Sequence, residues 1–106
     1  MSISWLYLFA AILLEVLGTT CMKLSQGFTK VGPSVLIFIS YGLCLAFLTL
    51  CLKKLEISVA YSVWAGLGTT LIALIGIFWF RESTTPMKLI SISLIIIGVI
   101  GLNSGK

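Results

Sequence analysis

Four long apolar runs dominate this chain, and they fix the solvent in which it folds. Ile3 to Met22, Val35 to Leu52, Ile57 to Phe80 and Leu89 to Leu102 are broken only by short polar connections, and Pro86 and Met87 lengthen the last run. A bilayer-spanning helix needs roughly 17–25 residues, so the runs predict four transmembrane helices over about 3–23, 33–52, 57–80 and 86–103. The ten-residue alternating segments of a membrane β-barrel are absent. Of the 106 residues 59% are hydrophobic and only 9% charged, with a mean hydropathy of +1.20. A soluble domain carries about 25% charged residues, and a chain of this size could not hide so much apolar surface from water.

The fold class expected is an all-α integral membrane protein with one four-helix domain spanning residues 1–106. The first run does not resemble a cleavable signal, because no positive charge precedes it and no small-residue cleavage site follows. The connections, about 23–34, 53–56 and 81–85, are too short for a nucleic-acid or protein platform. There is no histidine. Cys21, Cys44 and Cys51 lie inside apolar runs at spacings that fit neither a metal site nor a disulfide framework, so they are expected to be packing residues. No metal, cofactor, nucleic-acid partner or enzymatic activity is expected.

The first run contains one acid, Glu15, near its middle. An ionised side chain at mid-bilayer costs roughly 2.5–3.5 kcal/mol on insertion scales, and an intramembrane acid by default marks an ion or proton pathway. The alternative is a glutamate that stays protonated or binds a neighbouring helix. Leu8, Ala11, Ile12, Gly18 and Thr19 lie three, four or seven positions from Glu15, on the same helical face. Gly18 and Ala11 allow close approach, and the Thr19 hydroxyl can bond the carboxylate. Lys23 lies two turns away, at the membrane edge, and no lysine or arginine elsewhere in the runs lies deep enough in the membrane to neutralise Glu15. The counterpart of Glu15 is therefore a proton or a cation that arrives from outside. Burial disfavours the ionised form of a carboxyl, and a carboxyl in such a place can trade a proton for a cation. Glu56 and Glu82 sit beside basic residues at run ends and read as interfacial charges.

In the third run, "AYSVWAGLG" places Tyr61 and Trp64 three apart on one face. Aromatic faces attract organic cations by about 0.5–2 kcal/mol; a role as interfacial belt residues is the alternative. Gly66 and Gly68 make that stretch a candidate hinge, and Tyr41 is a further aromatic candidate.

Taken together, "LEVLGTTCMKLSQGFT", "PSV" and "AYSVWAGLG" followed by "FRE" resemble the small multidrug resistance family over nearly the whole chain. The resemblance implies a bacterial inner-membrane exporter that exchanges protons for organic cations as an antiparallel dimer of identical chains. It puts Glu15 on the shared proton and substrate carboxylate, and Tyr61 and Trp64 on the binding-site aromatics. Leu8, Ala11, Ile12, Thr19 and Tyr41 fall on pocket-lining positions. The G-T-T after E-V-x resembles the EmrE-like branch, which exports quaternary ammonium and polyaromatic cations. The guanidinium-exporting branch carries a tryptophan where this chain has Gly18 and a serine near Cys44. The family's small-residue dimer contact reads Ser91 and Gly98 here. A heterodimer with a paralogue stays open, as does a non-transporting membrane assembly subunit. Lys53, Lys54 and Lys106 fall on one side of the membrane, and Lys23, Lys30, Arg81 and Lys88 on the other. So weak a positive-charge bias predicts insertion in both orientations.

Overall fold

The computed structural model describes residues 3–104 as four α-helices and their connections. They are α1 (Ile3–Leu24), α2 (Val31–Cys51), α3 (Ile57–Phe78) and α4 (Pro86–Ser104), each long and apolar enough to cross a membrane. Helices are the form these runs must take, because hydrocarbon offers no partner for a free N–H or carbonyl. Pro33 falls in the first turn of α2, where its missing N–H costs nothing. Lys106 lies outside the described residues.

α1 is the centre of the bundle. It packs most extensively on α2 and also on α3, while α4 packs on α3. The core joins Leu8, Ile12 and Val16 of α1 to Cys51 of α2 and to Val59, Ala60 and Val63 of α3. α4 buries none of its residues. The large apolar side chains that point outward, such as Leu13, Phe38 and Ile97, meet lipid rather than water. The three cysteines are free and buried.

The first connection is tied by one residue. Ser25, almost fully buried, donates its hydroxyl to the Met22 carbonyl at 2.9 Å and accepts from the Phe28 N–H at 3.2 Å. Its own carbonyl accepts from the N–H groups of Thr29 and Lys30. Between them Gln26, Gly27 and Phe28 take positive φ values of 48°, 72° and 67°. The segment "SQGFT" thus reverses the chain in five residues, and Phe28 returns to stack on Phe38 of α2 at 6.0 Å.

Hydroxyls in the helices mostly bond within their own helix. Thr20, Thr49, Thr70, Ser91 and Ser93 each donate to the carbonyl four residues back, the usual fate of Ser and Thr in a helix. Thr19 departs from this pattern.

Candidate functional site

Thr19 donates its hydroxyl hydrogen to Glu15 Oε1 at 2.9 Å. A hydroxyl has one hydrogen to give, so the 2.6 Å contact between Thr19 Oγ1 and Tyr41 Oη is made with Tyr41 as donor. Tyr41, Thr19 and Glu15 form a directed chain from α2 to α1 that ends on one carboxylate oxygen. Gly18 makes room for it: a β-carbon there would lie 2.6 Å from Cε2 of the Tyr41 ring. The G-T pair at 18 and 19 therefore works as a unit, with Gly18 admitting the ring and Thr19 taking up its hydroxyl.

The second oxygen, Glu15 Oε2, is buried and has no hydrogen-bond partner among the described residues. It lies so close to α3 that a β-carbon on Gly68 would stand 2.8 Å away. Gly68 thereby lets the carboxylate rest on bare α3 backbone. Glu15 borders a cavity of about 260 Å³, whose walls also include Thr19 from α1 and Trp64, Ala65, Gly68, Thr69 and Ile72 from α3. Trp64 Nε1 is likewise buried without a partner. The only ion pair among the described residues, Lys88 with Glu82, is elsewhere, and Lys23 reaches over the Phe80 ring instead of toward Glu15. The site thus offers a carboxylate with one oxygen fixed and one uncommitted, an indole beside it, and no protein cation to neutralise it.

A methyl group at Gly68 meets only the flexible end of Glu15, so Gly68→Ala is expected to fold normally but displace the carboxylate. Affinity for a cation that pairs with Glu15 should fall several-fold with little change in thermal stability; affinity equal to wild type in a titration would show that this close approach is unimportant.

The other residues singled out in the sequence fall into three groups. Tyr61 packs edge-on against Trp64, with ring centroids 5.5 Å apart, and is 53% exposed, at the side of the cavity rather than in its wall. Leu8, Ala11 and Ile12 are buried in the packing of α1 against its neighbours and do not border the cavity. Spacing alone puts them on the Glu15 face, and in this protomer the other helices cover that face. Ser91 and Gly98 are exposed on α4. α3 runs as one helix through Gly66 and Gly68; Gly66 is where Val99 of α4 approaches closest, 2.5 Å from a β-carbon placed there.

Ala65, Thr69 and Ile72 are wall residues that the sequence reading missed. They lie three back, one on and four on from Gly68, along the stripe of α3 that faces Glu15. The same spacing count, started from Gly68 rather than Glu15, finds Ala65 and Ile72, and Thr69 lies four on from Ala65.

The sequence model of one family, described as Small Multidrug Resistance protein, matches residues 3–95. The chain belongs to that family. An uncharacterized membrane protein of Bacillus subtilis (strain 168), YvaE, is 54% identical over 100 residues, covering 94% of this chain and 84% of the relative. The quaternary ammonium compound-resistance protein QacG of Staphylococcus sp. (strain ST94) is 43% identical over 93% of this chain and 92% of its own length. The multidrug resistance protein EbrA of Bacillus atrophaeus is 41% identical over 97% and 98%. Membership makes this small multidrug resistance protein a transporter of small molecules rather than an enzyme. With its four spans it is a multi-pass protein of the bacterial inner (plasma) membrane.

Proposed function

We propose that this chain exports lipophilic organic cations, quaternary ammonium and polyaromatic ones, in exchange for protons, working as an antiparallel dimer. The observation that carries the proposal is Glu15, which borders a cavity and keeps one buried carboxylate oxygen, Oε2, with no hydrogen-bond partner among the described residues. Such a group takes either a proton or a cation, not both, and competition of this kind is what coupled exchange requires. The names of QacG and EbrA support the substrate class.

In a dimer two Glu15 carboxylates would share one pocket. Alternating access then requires that proton-loaded and cation-loaded sites favour the rearrangement differently from the empty one, with Gly66 and Gly68 as the proposed hinge. Gly18 supports bulky cations over guanidinium. A tryptophan at that position would collide with the Tyr41 ring, since even a β-carbon does.

Purified chain in liposomes provides the test. An outward gradient of a quaternary ammonium cation should drive protons inward, and an imposed proton gradient should accumulate the cation against its own gradient. Cation movement with no proton counterflow would overturn the coupling. Trp64→Leu keeps apolar bulk and removes the ring, so affinity for an aromatic cation should fall about tenfold or more, as for a desolvated cation–π contact. Equal affinities in a binding titration would remove Trp64 from the site.

A further inference from the structure

Glu15 is not the only acid on this space. The cavity beside it shares Thr19, Thr69 and Ile72 with a second one of about 310 Å³, which continues toward the end of the bundle that carries the first and third connections. Lys23, Phe80, Glu82 and Lys88 rim the far end. Three threonines, Thr19, Thr20 and Thr69, line the way between an inner and an outer carboxylate.

The chain folds back to put Glu82 there. Arg81 takes a φ of 55°, and the Glu82 N–H donates to the Gly76 carbonyl at 2.9 Å, closing the end of α3. The Glu82 carboxylate then lies on Gly76, where a β-carbon would collide with it. Its side chain keeps 47% of its surface exposed and meets the Lys88 ammonium only at 3.9 Å. In the lining of the same cavity the Lys23 ammonium stands over the Phe80 ring, 5.9 Å from its centroid. Both contacts are near the outer limits for interactions of their kinds.

A carboxylate next to an aromatic face is what recognises an organic cation, and Glu15 with Trp64 is the buried instance in the same molecule. We propose that Phe80 and Glu82 form an outer cation subsite at the mouth of the passage to Glu15, held in the resting state by Lys23 and Lys88 as tethered competitors. The proposal rests on the organic-cation export reading and adds a second station to it. A lysine ammonium is strongly hydrated, so it holds an aromatic face weakly; a quaternary or polyaromatic cation has less water to lose and displaces it. Because each lysine is attached to the protein, its effective concentration at the subsite stays high, and its return drives the cation onward. The mouth passes cations without accumulating them.

The test uses full-length chain carrying Glu15→Gln, which removes the inner site, with tetraphenylphosphonium as probe. Weak residual binding is expected. Phe80→Leu or Glu82→Gln should weaken it by about two- to fivefold, the range of an exposed cation–π or ion-pair contact. Lys88→Met should tighten it by a similar factor, a gain that misfolding cannot produce. No residual binding, or residual binding indifferent to all three substitutions, would overturn the subsite. If Glu15→Gln itself binds the probe as tightly as wild type, the inner-site reading fails instead, and the response to the three outer substitutions still decides the outer one.

Discussion

Glu15→Gln is expected to abolish cation transport and the proton release that accompanies cation binding. Glutamine keeps the shape of the side chain and can still accept the Thr19 hydroxyl, and the uncommitted Oε2 makes no protein hydrogen bond that the change would break. The fold should therefore survive while the charge is lost. Two opposite unit charges 4 Å apart attract by about 4 kcal/mol at an effective dielectric constant of 20, which is about a thousandfold in affinity. Glu15→Asp keeps the charge on a shorter arm. It should retain binding but alter its dependence on pH, because it withdraws the carboxylate from Thr19. Measuring bound cation and released proton on the same sample checks both statements. Undiminished transport by the glutamine variant would sink the mechanism.

The four spans were legible because hydrocarbon is a strict solvent: any uninterrupted apolar run of sufficient length must be helical there. Glu15 was legible for a related reason, since a lone acid in such a run carries a cost that needs an explanation. Helical spacing also put Thr19 beside it, and the structure supplies that bond. Spacing reports which residues share a face but not which helix covers that face. Leu8 and Ile12 share the Glu15 face and belong to the core, whereas Thr69 and Ile72, from another helix, wall the cavity. The reach of Tyr41 across Gly18 is a contact between residues 23 apart in sequence, so no local pattern could announce it. Glu82 looks like any interfacial charge until the left-handed turn at Arg81 carries it back over Gly76.

Gly98→Leu is expected to convert the protein to monomers and thereby to stop transport. α4 packs on α3 and buries none of its residues, and it adds no side chain to the cavity at Glu15. Exposed leucine and isoleucine do not by themselves demand a partner, because lipid tails are as apolar as they are. What favours helix association in a bilayer is close backbone contact at small residues. Ser91 and Gly98 supply such a stripe, seven residues apart and exposed, and a β-carbon on Gly98 would meet nothing within 4 Å beyond its own stretch of α4 among the described residues. Gly98 borders an open cavity between α3 and α4 of about 560 Å³, which leaves room for a leucine side chain, so the chain should keep its helicity and thermal stability. A second copy docked on the same stripe would be held off by the added side chain, and both copies would lose the contact at once. With the proposed dimer would go the proposed shared pocket of two Glu15 carboxylates, so uptake should vanish even though every residue lining the cavity at Glu15 is unchanged. Cross-linking in detergent and in liposomes, alongside an uptake assay, separates the steps. A Gly98→Leu chain that still cross-links fully as a dimer would place the seam elsewhere, and one that transports normally as a monomer would remove the need for a second chain.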